Sequence, residues 1–400
     1  MQRESAFSDP RPRWSLDPCV RHLNHGSFGA VPVEVQEEQS RLRSLMEWNP
    51  VRWFSSLPER IAAARLDMAE LLRVEPSTLA FVANASAGAS VVYQSLMARG
   101  PVDVLLTTHG YGAVSMGATR LARRTGGRHH TVDIPPSAPA PGVLAALVQA
   151  MDEQRPTLLV VDQVTSATAR AFPIDEICRA ARERGVLTLV DGAHAPGVLA
   201  DPVCREADYW VGNLHKFVCA PRGSAVIVAR DGGQELFPLV DSWGAREAFP
   251  ARFDHGGTQD LTPWLTAPLA WRHLDETIGW AAVRERSRRV LDEGSLVVAQ
   301  ALRDIVDDPL PDVGQPVGPM RLFRLPAGLG RTREEADALR IPFGDRTGTA
   351  VSFTSFGGSG FLRLSSHVYT SVHDFAHVAT VGIPLLHQWS ATQLGGKNAS

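Results

Sequence analysis

Two side chains suited to covalent and acid–base chemistry each follow an apolar segment of the chain. Lys216, in NLHKF, is one of only two lysines, although lysine and arginine together number 40. A desolvated lysine can lose its proton and attack a carbonyl carbon to form a Schiff base, whereas an arginine stays protonated. Asp191, in DGAHAPG, ends a strongly apolar run, where a carboxylate needs a cationic partner. A surface lysine and a turn-capping aspartate are the ordinary alternatives, so neither residue decides the chemistry alone.

A third feature is the segment NASAGAS, residues 84–90. Its small residues leave backbone N–H groups uncovered at the start of a helix, where phosphate binds readily. The spacing matches neither the dinucleotide fingerprint nor the P-loop, so an ordinary capped turn is the alternative. An anion cradle, a carboxylate for a ring nitrogen and a reactive lysine are the three groups that pyridoxal 5'-phosphate (PLP) needs. Their occurrence together, in this order, predicts PLP as the cofactor.

The elements that must position these residues are short β-rich runs that alternate with helical segments. The runs, from about residue 79, are TLAFV, VDVLLTT, RHHTVDI, TLLVVDQV, GVLTLVDGA, ADYWVGN and SAVIVAR. The segment PIDEICRAARERG opens with Pro173, has apolar residues at helical spacing and stops at Gly185, as a crossover helix would. This alternation predicts a largely parallel sheet with helices on both faces and a ligand site beyond the carboxyl ends of the strands.

The bulk composition excludes several classes of protein. A chain of 400 residues with 44% hydrophobic and 21% charged residues is typical of a globular enzyme, with a large domain and a smaller one. A net charge of -3 disfavours nucleic acid and membrane as partners. The four scattered cysteines indicate neither a disulfide framework nor a zinc site, and we predict no metal. Without an apolar leader or a run of about 18 apolar residues, a cytoplasmic enzyme is expected.

The motifs together resemble a known family. From LNHGSFG (23–29) to FLRLSSH (361–367), the chain is similar to fold-type I PLP-dependent enzymes of the class V aminotransferase superfamily, isopenicillin N epimerase-like branch. The resemblance implies the α/β, fold-type I PLP-dependent transferase fold, with a mostly parallel seven-stranded sheet in the large domain and a smaller C-terminal α+β domain. The ranges that it implies are 1–30 for an N-terminal segment that lines the active site, 31–265 for the large PLP-binding domain and 266–400 for the small domain.

The resemblance also implies roles for individual residues. Lys216 is expected to form the Schiff base, Asp191 to pair with the pyridinium nitrogen, and Tyr111, a better fit than His109, to stack on the ring. The remaining cofactor-binding residues that it implies are Ala87, Gly88, His194, Asn213, His215 and Thr258. The substrate-binding residues that it implies are Asn24, His25, Thr165 and Arg363, of which Arg363 resembles the partner of the substrate α-carboxylate. Because Thr258 would reach in from a neighbouring subunit, a homodimer with shared active sites is implied. Trp53 and Phe54 are candidates for an apolar wall over the substrate, with an ordinary core position as the alternative.

These shared residues leave the reaction open. Removal of the α-proton by Lys216 can lead to epimerisation, transamination or β-elimination, and loss of carbon dioxide is a fourth route. No cysteine follows Cys219, which disfavours the persulfide mechanism of the related cysteine desulfurases. Similar enzymes include ergothioneine carbon–sulfur lyases and PLP enzymes of lincosamide pathways.

We therefore predict a PLP-dependent enzyme of specialised, antibiotic-type biosynthesis. Its small-molecule substrate would be a cysteine S-conjugate, and the reaction carbon–sulfur β-elimination or decarboxylating deamination. The alternatives are an amino-acid epimerase, an aminotransferase and a non-catalytic PLP-binding sensory protein. A cofactor-free α/β hydrolase is disfavoured because the chain has no G-x-S-x-G elbow.

Overall fold

The computed structural model describes residues 12–397, with side chains as far as Thr392. The α-helices are α1 (Val33–Trp48), α2 (Pro50–Leu72), α3 (Ala85–Leu96), α4 (Gly112–Thr125), α5 (Ala140–Gln154), α6 (Ile174–Glu183), α7 (Thr262–Thr277), α8 (Trp280–Leu302), α9 (Arg333–Thr347), α10 (Val372–His377) and α11 (Ile383–Lys397). The strands are β1 (Arg21–His22), β2 (Leu79–Val82), β3 (Val104–Thr107), β4 (His129–Val132), β5 (Leu158–Asp162), β6 (Leu187–Asp191), β7 (Tyr209–Asn213), β8 (Ala225–Ala229), β9 (Met320–Arg324), β10 (Thr349–Ala350), β11 (Ser352–Phe356) and β12 (Ser359–Ser365). Among these described helices, none has the length and apolarity needed to cross a bilayer.

A seven-stranded sheet with the order β2-β8-β7-β6-β5-β3-β4 forms the centre of the large domain. The neighbours from β7 to β4 pair in parallel, whereas β8 is antiparallel to both β7 and β2. Each of the seven β-rich runs of the sequence supplies one strand. The predicted mostly parallel, seven-stranded α/β fold is confirmed.

The central strands are apolar throughout because helices cover both faces of the sheet. In β5, Val161 belongs to the core shared with α2, α5, α6 and α7, while Val160 belongs to the core shared with α3 and α4. Successive side chains of a strand point to opposite faces, so a strand between two helical layers has no polar face. The predicted crossover helix is α6, which follows Pro173 and ends before Gly185, whose φ is +68°.

The small domain consists of a three-stranded antiparallel sheet of order β11-β12-β9 with packed helices. Its apolar core includes Leu23 from the N-terminal segment, and β1 pairs with β10. On α8, Val283 packs into the large-domain core and Val290 into the small-domain core. The two cores therefore divide within α8, whereas the ranges inferred from the sequence divide at residue 265, inside α7. Trp271 and Leu274 of α7 are buried in the large-domain core, so the whole of α7 belongs to the large domain.

Candidate active site

The carboxyl ends of the parallel strands open into a cavity of about 840 Å³, bounded on its other side by the small domain. Both Lys216, which follows β7, and Asp191, which ends β6, line this cavity. Residues of the N-terminal segment, from Gly26 to Phe28, also line it. The topology thus brings together at one sheet edge groups that are far apart in the sequence.

Lys216 is half-buried and lines the cavity. Its Nζ lies 3.1 Å from Nε2 of His194, and the same nitrogen of His194 lies 2.9 Å from the carbonyl oxygen of Gly26. Burial lowers the pKa of Lys216 to about 8, although the nearby carboxylate of Asp191 acts in the opposite direction. Burial, together with the charge of Lys216, lowers the pKa of His194 well below its ordinary value. A neutral imidazole therefore faces an amine that loses its proton readily, as a Schiff-base lysine must.

This lowered pKa predicts how cofactor capture depends on pH. Only the neutral amine attacks an aldehyde, so PLP uptake by the apo-protein should accelerate roughly tenfold per pH unit up to about pH 8 and then level off. A lysine with the ordinary pKa of 10.5 would instead keep gaining rate through pH 10. Stopped-flow absorbance of the lysine-bound cofactor measures this rate. A rate that still climbs tenfold per unit between pH 8.5 and 10 would show that burial does not activate the amine.

Two buried carboxylates lie side by side near the lysine. Asp162 ends β5 directly opposite Asp191 in the parallel register. Burial raises the pKa of both, and the charge of Asp191 raises that of Asp162 further. Asp162 accepts the backbone N–H of Tyr111 at 3.2 Å, and Asp191 accepts that of Ala193 at 3.0 Å. Such a pair favours a bound cation or a proton, because two adjacent carboxylates do not both ionise easily.

This donor set fits PLP. Asp191 would hold the protonated ring nitrogen, Lys216 the aldehyde carbon, and Tyr111, which lines the cavity and is 40% exposed, a face of the ring. Among the described residues, the two buried carboxylates accept hydrogen bonds only from backbone N–H groups and have no cationic hydrogen-bond partner. A protonated pyridinium would supply that partner. These side chains are thus suited to hold the pyridine ring and the aldehyde of the cofactor.

The opposite end of the cavity suits a phosphate. It is lined by the start of α3, from Asn84 to Ser86, and by Asn213, His215 and Arg222. The Asn84 side chain caps α3 by accepting the N–H of Ala87 at 2.9 Å, and Asn213 accepts that of Ala85 at 2.8 Å. Ser86 belongs to the same first turn, whose N–H groups have no acceptor within the helix, and it lines the cavity where an anion would lie.

Arg363 is a buried cation at the substrate end. Its guanidinium donates to the carbonyl oxygen of Ser166 at 2.6 Å, to Ser166 Oγ at 3.1 Å and to Ser27 Oγ at 2.7 Å. No carboxylate within 4.0 Å pairs with it among the side chains of residues 12–392. Burial, aided by Arg340, lowers the pKa of Arg363 to about 10. An unpaired buried guanidinium is costly and presents a planar fork to a carboxylate.

Of the residues implied by the resemblance, the structure places seven at the cavity: Tyr111, Asp191, His194, Asn213, His215, Lys216 and Arg363. Seven others do not line it: Asn24, His25, Ala87, Gly88, His109, Thr165 and Thr258. Trp53 and Phe54 pack with the large-domain core, so the core alternative describes them better than a wall over the substrate.

His109 and Gly88 show why proximity in sequence misplaces a residue. The ring of His109 points away from the cavity, with Nδ1 2.7 Å from Thr168 Oγ1 and Nε2 2.8 Å from the carbonyl oxygen of Ile134. A Cβ on Gly88 would lie 2.7 Å from Cγ1 of Val211, so this glycine lets α3 approach β7 closely. Neither is retained in the proposed cofactor site.

The two threonines fail to reach the cavity for different reasons. Thr165 is buried behind the wall, where its hydroxyl lies 2.7 Å from that of Thr168. Thr258 is exposed, outside the cavity of its own subunit. Its role therefore depends on a second subunit and stays a proposal.

A buried cluster of His25, Cys219 and His367 lies beneath Lys216, with ligand-type atoms within 4.8 Å of one another. The two imidazoles stack at 4.2 Å with an interplanar angle of 12°. A metal binds an imidazole in its ring plane, and two nearly parallel stacked planes do not meet at one ion. Instead, His25 Nε2 lies 3.0 Å from the carbonyl oxygen of Lys216, and Nδ1 lies 2.6 Å from Tyr369 Oη. The cluster thus braces the backbone of the lysine from below.

Several cavity residues were missed by reasoning from sequence. Asp162 carries the same signal as Asp191, an aspartate at the end of an apolar strand, and could have been found by it. Ser27 and Ser166 become visible only through their hydrogen bonds to Arg363. The arginines at the cavity, Arg222, Arg333 and Arg340, have no motif that separates them from the other arginines of the chain.

Comparisons with known proteins agree with this geometry. The aminotransferase class-V family model matches residues 44–298. Isopenicillin N epimerase of Streptomyces clavuligerus is 31% identical over 399 residues, which cover 93% of this chain and 96% of that protein. The L-cysteine desulfhydrase-like protein lolT1 of Epichloe uncinata is 25% identical, with 90% of this chain and 91% of the relative covered. A solved complex of a cystine C–S lyase with cysteine persulfide has a TM-score of 0.76 at 17% identity, over 92% of this chain and 97% of that one.

Fold and site together define a fold-type I PLP-dependent enzyme. The chain belongs to the class V aminotransferase family, and its relatives include the isopenicillin N epimerase branch that the motifs predicted. The predictions of fold, cofactor and enzymatic nature are therefore confirmed, while the reaction and the roles of single residues are not fixed by this membership.

Proposed function

We propose that this enzyme acts on a cysteine S-conjugate, either by carbon–sulfur β-elimination or by decarboxylating deamination, in a specialised biosynthetic pathway of the antibiotic type. The observation that carries the proposal is the presence in one cavity of a half-buried, easily deprotonated Lys216 and of Arg363, a buried cation without a carboxylate partner. The first suits attack on an amino-acid α-carbon, and the second suits its carboxylate. A cytoplasmic homodimer, in which Thr258 serves the partner's site, is part of the same proposal.

Each residue has a defined task in this scheme. Bound PLP supplies an acceptor for the electrons left on the substrate α-carbon. Arg363, held by Ser27 and Ser166, fixes the α-carboxylate, so that the bond to be broken is oriented. Lys216 Nζ takes the α-proton, while His194, 3.1 Å away, stays neutral and so adds no charge that would hinder it. Asp191 would hold the protonated ring nitrogen of the bound cofactor.

The position of the cysteine thiols favours direct elimination of a thiolate over transfer of sulfur to a protein cysteine. Cys219 is fully buried beneath the lysine, and no cysteine of residues 12–392 lines the cavity. Sulfur would therefore leave as part of the substrate's own thiolate, with no transfer to a protein thiol. The relative lolT1 is described as L-cysteine desulfhydrase-like, which supports breakage of a carbon–sulfur bond here.

Amino-acid epimerisation is the second candidate, and the 31% identity to isopenicillin N epimerase favours it. An epimerase must return a proton to the face opposite the one that lost it. Tyr111, which lines the cavity, is a candidate donor for that face. The two reactions differ in products, so one experiment separates them.

The test compares S-ethyl-L-cysteine with L-norleucine, in which a methylene replaces the sulfur. From the first compound we expect one of two product sets. Ethanethiol, pyruvate and ammonia report β-elimination, whereas carbon dioxide, ammonia and a thioether aldehyde, formed with oxygen uptake, report decarboxylating deamination with the carbon–sulfur bond intact. We expect neither set from the second compound. When both incubations are run in deuterium oxide, deuterium at the α-carbon reports loss of the α-proton, and the configuration of the recovered amino acid reports inversion. Inversion of both compounds without thiol release would establish the epimerase, and acceptor-dependent keto-acid formation from both would establish a transaminase.

A further inference from the structure

The cavity holds more positive charge than the cofactor and an α-carboxylate can use. In the proposed function Asp162, Asp191, Lys216 and Arg222 serve the cofactor, and Arg363 serves the α-carboxylate. Two further guanidiniums, those of Arg333 and Arg340, line the same cavity from α9, accompanied there by one carboxylate, Asp337. Both arginines belong to the small domain, so they lie on the side opposite the sheet edge.

Asp337 does not neutralise both arginines. Arg340 donates to Asp337 Oδ1 at 2.6 Å, while Nε of Arg333 lies 3.6 Å from Asp337 Oδ2. One carboxylate thus stands between two guanidiniums, which leaves an excess of one positive charge. In addition, Nε of Arg340 is buried and has no hydrogen-bond partner among the described residues. A buried N–H donor without an acceptor is uncommon and fits a ligand oxygen.

The excess charge lies near the reacting end of the cavity. Nη1 of Arg333 is 2.5 Å from where a Cβ on Gly112 would be, so this side chain reaches the residue that follows Tyr111. A larger residue at position 112 would displace it. Burial is the main cause of the lowered pKa of Arg363, and the positive charge of Arg340 lowers it further. The two α9 arginines therefore lie near the loop of Tyr111 and near Arg363, on the small-domain side of the cavity.

We propose that Arg333 and Arg340 form a second anion subsite, which selects amino acids with a carboxylate or similar oxyanion at the far end of the side chain. This inference rests on the proposed amino-acid substrate and names its class: a conjugate whose distal portion is acidic. Arg340 is the stronger member because it is half-buried, whereas the Arg333 side chain is 61% exposed and is screened by water.

Binding, without catalysis, tests this subsite. The holoenzyme is titrated with L-glutamate and L-2-aminoadipate and with their ω-amides, and the change in the visible band of the lysine-bound cofactor gives each Kd. Each pair has the same α-carboxylate and almost the same shape. We expect at least one acid to bind about 5- to 30-fold more tightly than its amide. In the double variant Arg333→Gln/Arg340→Gln this ratio should fall below about 2, and in Arg340→Gln alone it should fall part of the way.

Arg331→Gln is the matched control. Arg331 lies just before α9, pairs with Glu335 and does not line the cavity. The substitution removes one nearby charge and should keep the wild-type ratio. Equal binding of acids and amides by the wild-type enzyme would overturn the subsite, as would an unchanged ratio in the double variant with a normal cofactor band. Because no carbon–sulfur bond is broken in these titrations, a preference for acids would stand even if S-ethyl-L-cysteine were not cleaved.

Discussion

Replacement of Lys216 by alanine is expected to abolish covalent attachment of the cofactor and to lower turnover by at least about 1,000-fold. In the proposed function the residue supplies both the amine that binds the aldehyde and the base 3.1 Å from His194, and no second lysine lines the cavity among the side chains of residues 12–392. Visible absorbance and initial rates measure the two losses. Lys397→Ala, which removes the only other lysine of the chain, should behave like the wild type. A Lys216→Ala protein that kept a lysine-type absorbance band would disprove the assignment.

Replacement of Asp191 by asparagine is expected to have the second largest effect. The substitution keeps the shape but removes the negative charge that we propose to pair with the ring nitrogen, so we expect turnover to fall roughly 100- to 1,000-fold and PLP affinity to weaken. The measurements are kcat with saturating cofactor and the Kd of PLP from absorbance titration.

Asp162→Asn provides a sharp comparison because Asp162 lies next to Asp191 in the register. Burial, together with the charge of Asp191, raises the pKa of Asp162 well above its ordinary value, which favours the protonated form, and an amide has the same shape. We expect this variant to lose less than about tenfold in turnover. If Asp162→Asn were crippled and Asp191→Asn were nearly normal, the roles of the two carboxylates would have to be exchanged.

The fold could be predicted from the sequence because both faces of the large sheet are covered. A strand such as β5, LLVVD, must then be apolar at every position, and its charged last residue marks the sheet edge. The division of the domains was harder to foresee. α8 is a single continuous helix of 23 residues, and only the partners of Val283 and Val290 show that it serves two cores.

The site was predicted best where one residue type performs a chemical task that others cannot. Lys216 and Asp191 could be found because an isolated lysine and a strand-end carboxylate are unusual in apolar surroundings. His109 and Thr165 were misplaced because the direction of a loop side chain depends on backbone turns that the sequence does not specify. Arg340 was missed because its importance arises from the docking of α9 over the cavity.

Borohydride reduction of the native holoenzyme, followed by peptide mass mapping, tests the central claim most directly. Reduction converts the imine between a lysine and the PLP aldehyde into a stable amine, and the mass added identifies the attached residue. The account predicts a phosphopyridoxyl group on the peptide that contains Lys216 and an unmodified peptide around Lys397. A reduced holoenzyme with no adduct, or with its adduct only on Lys397, would contradict it.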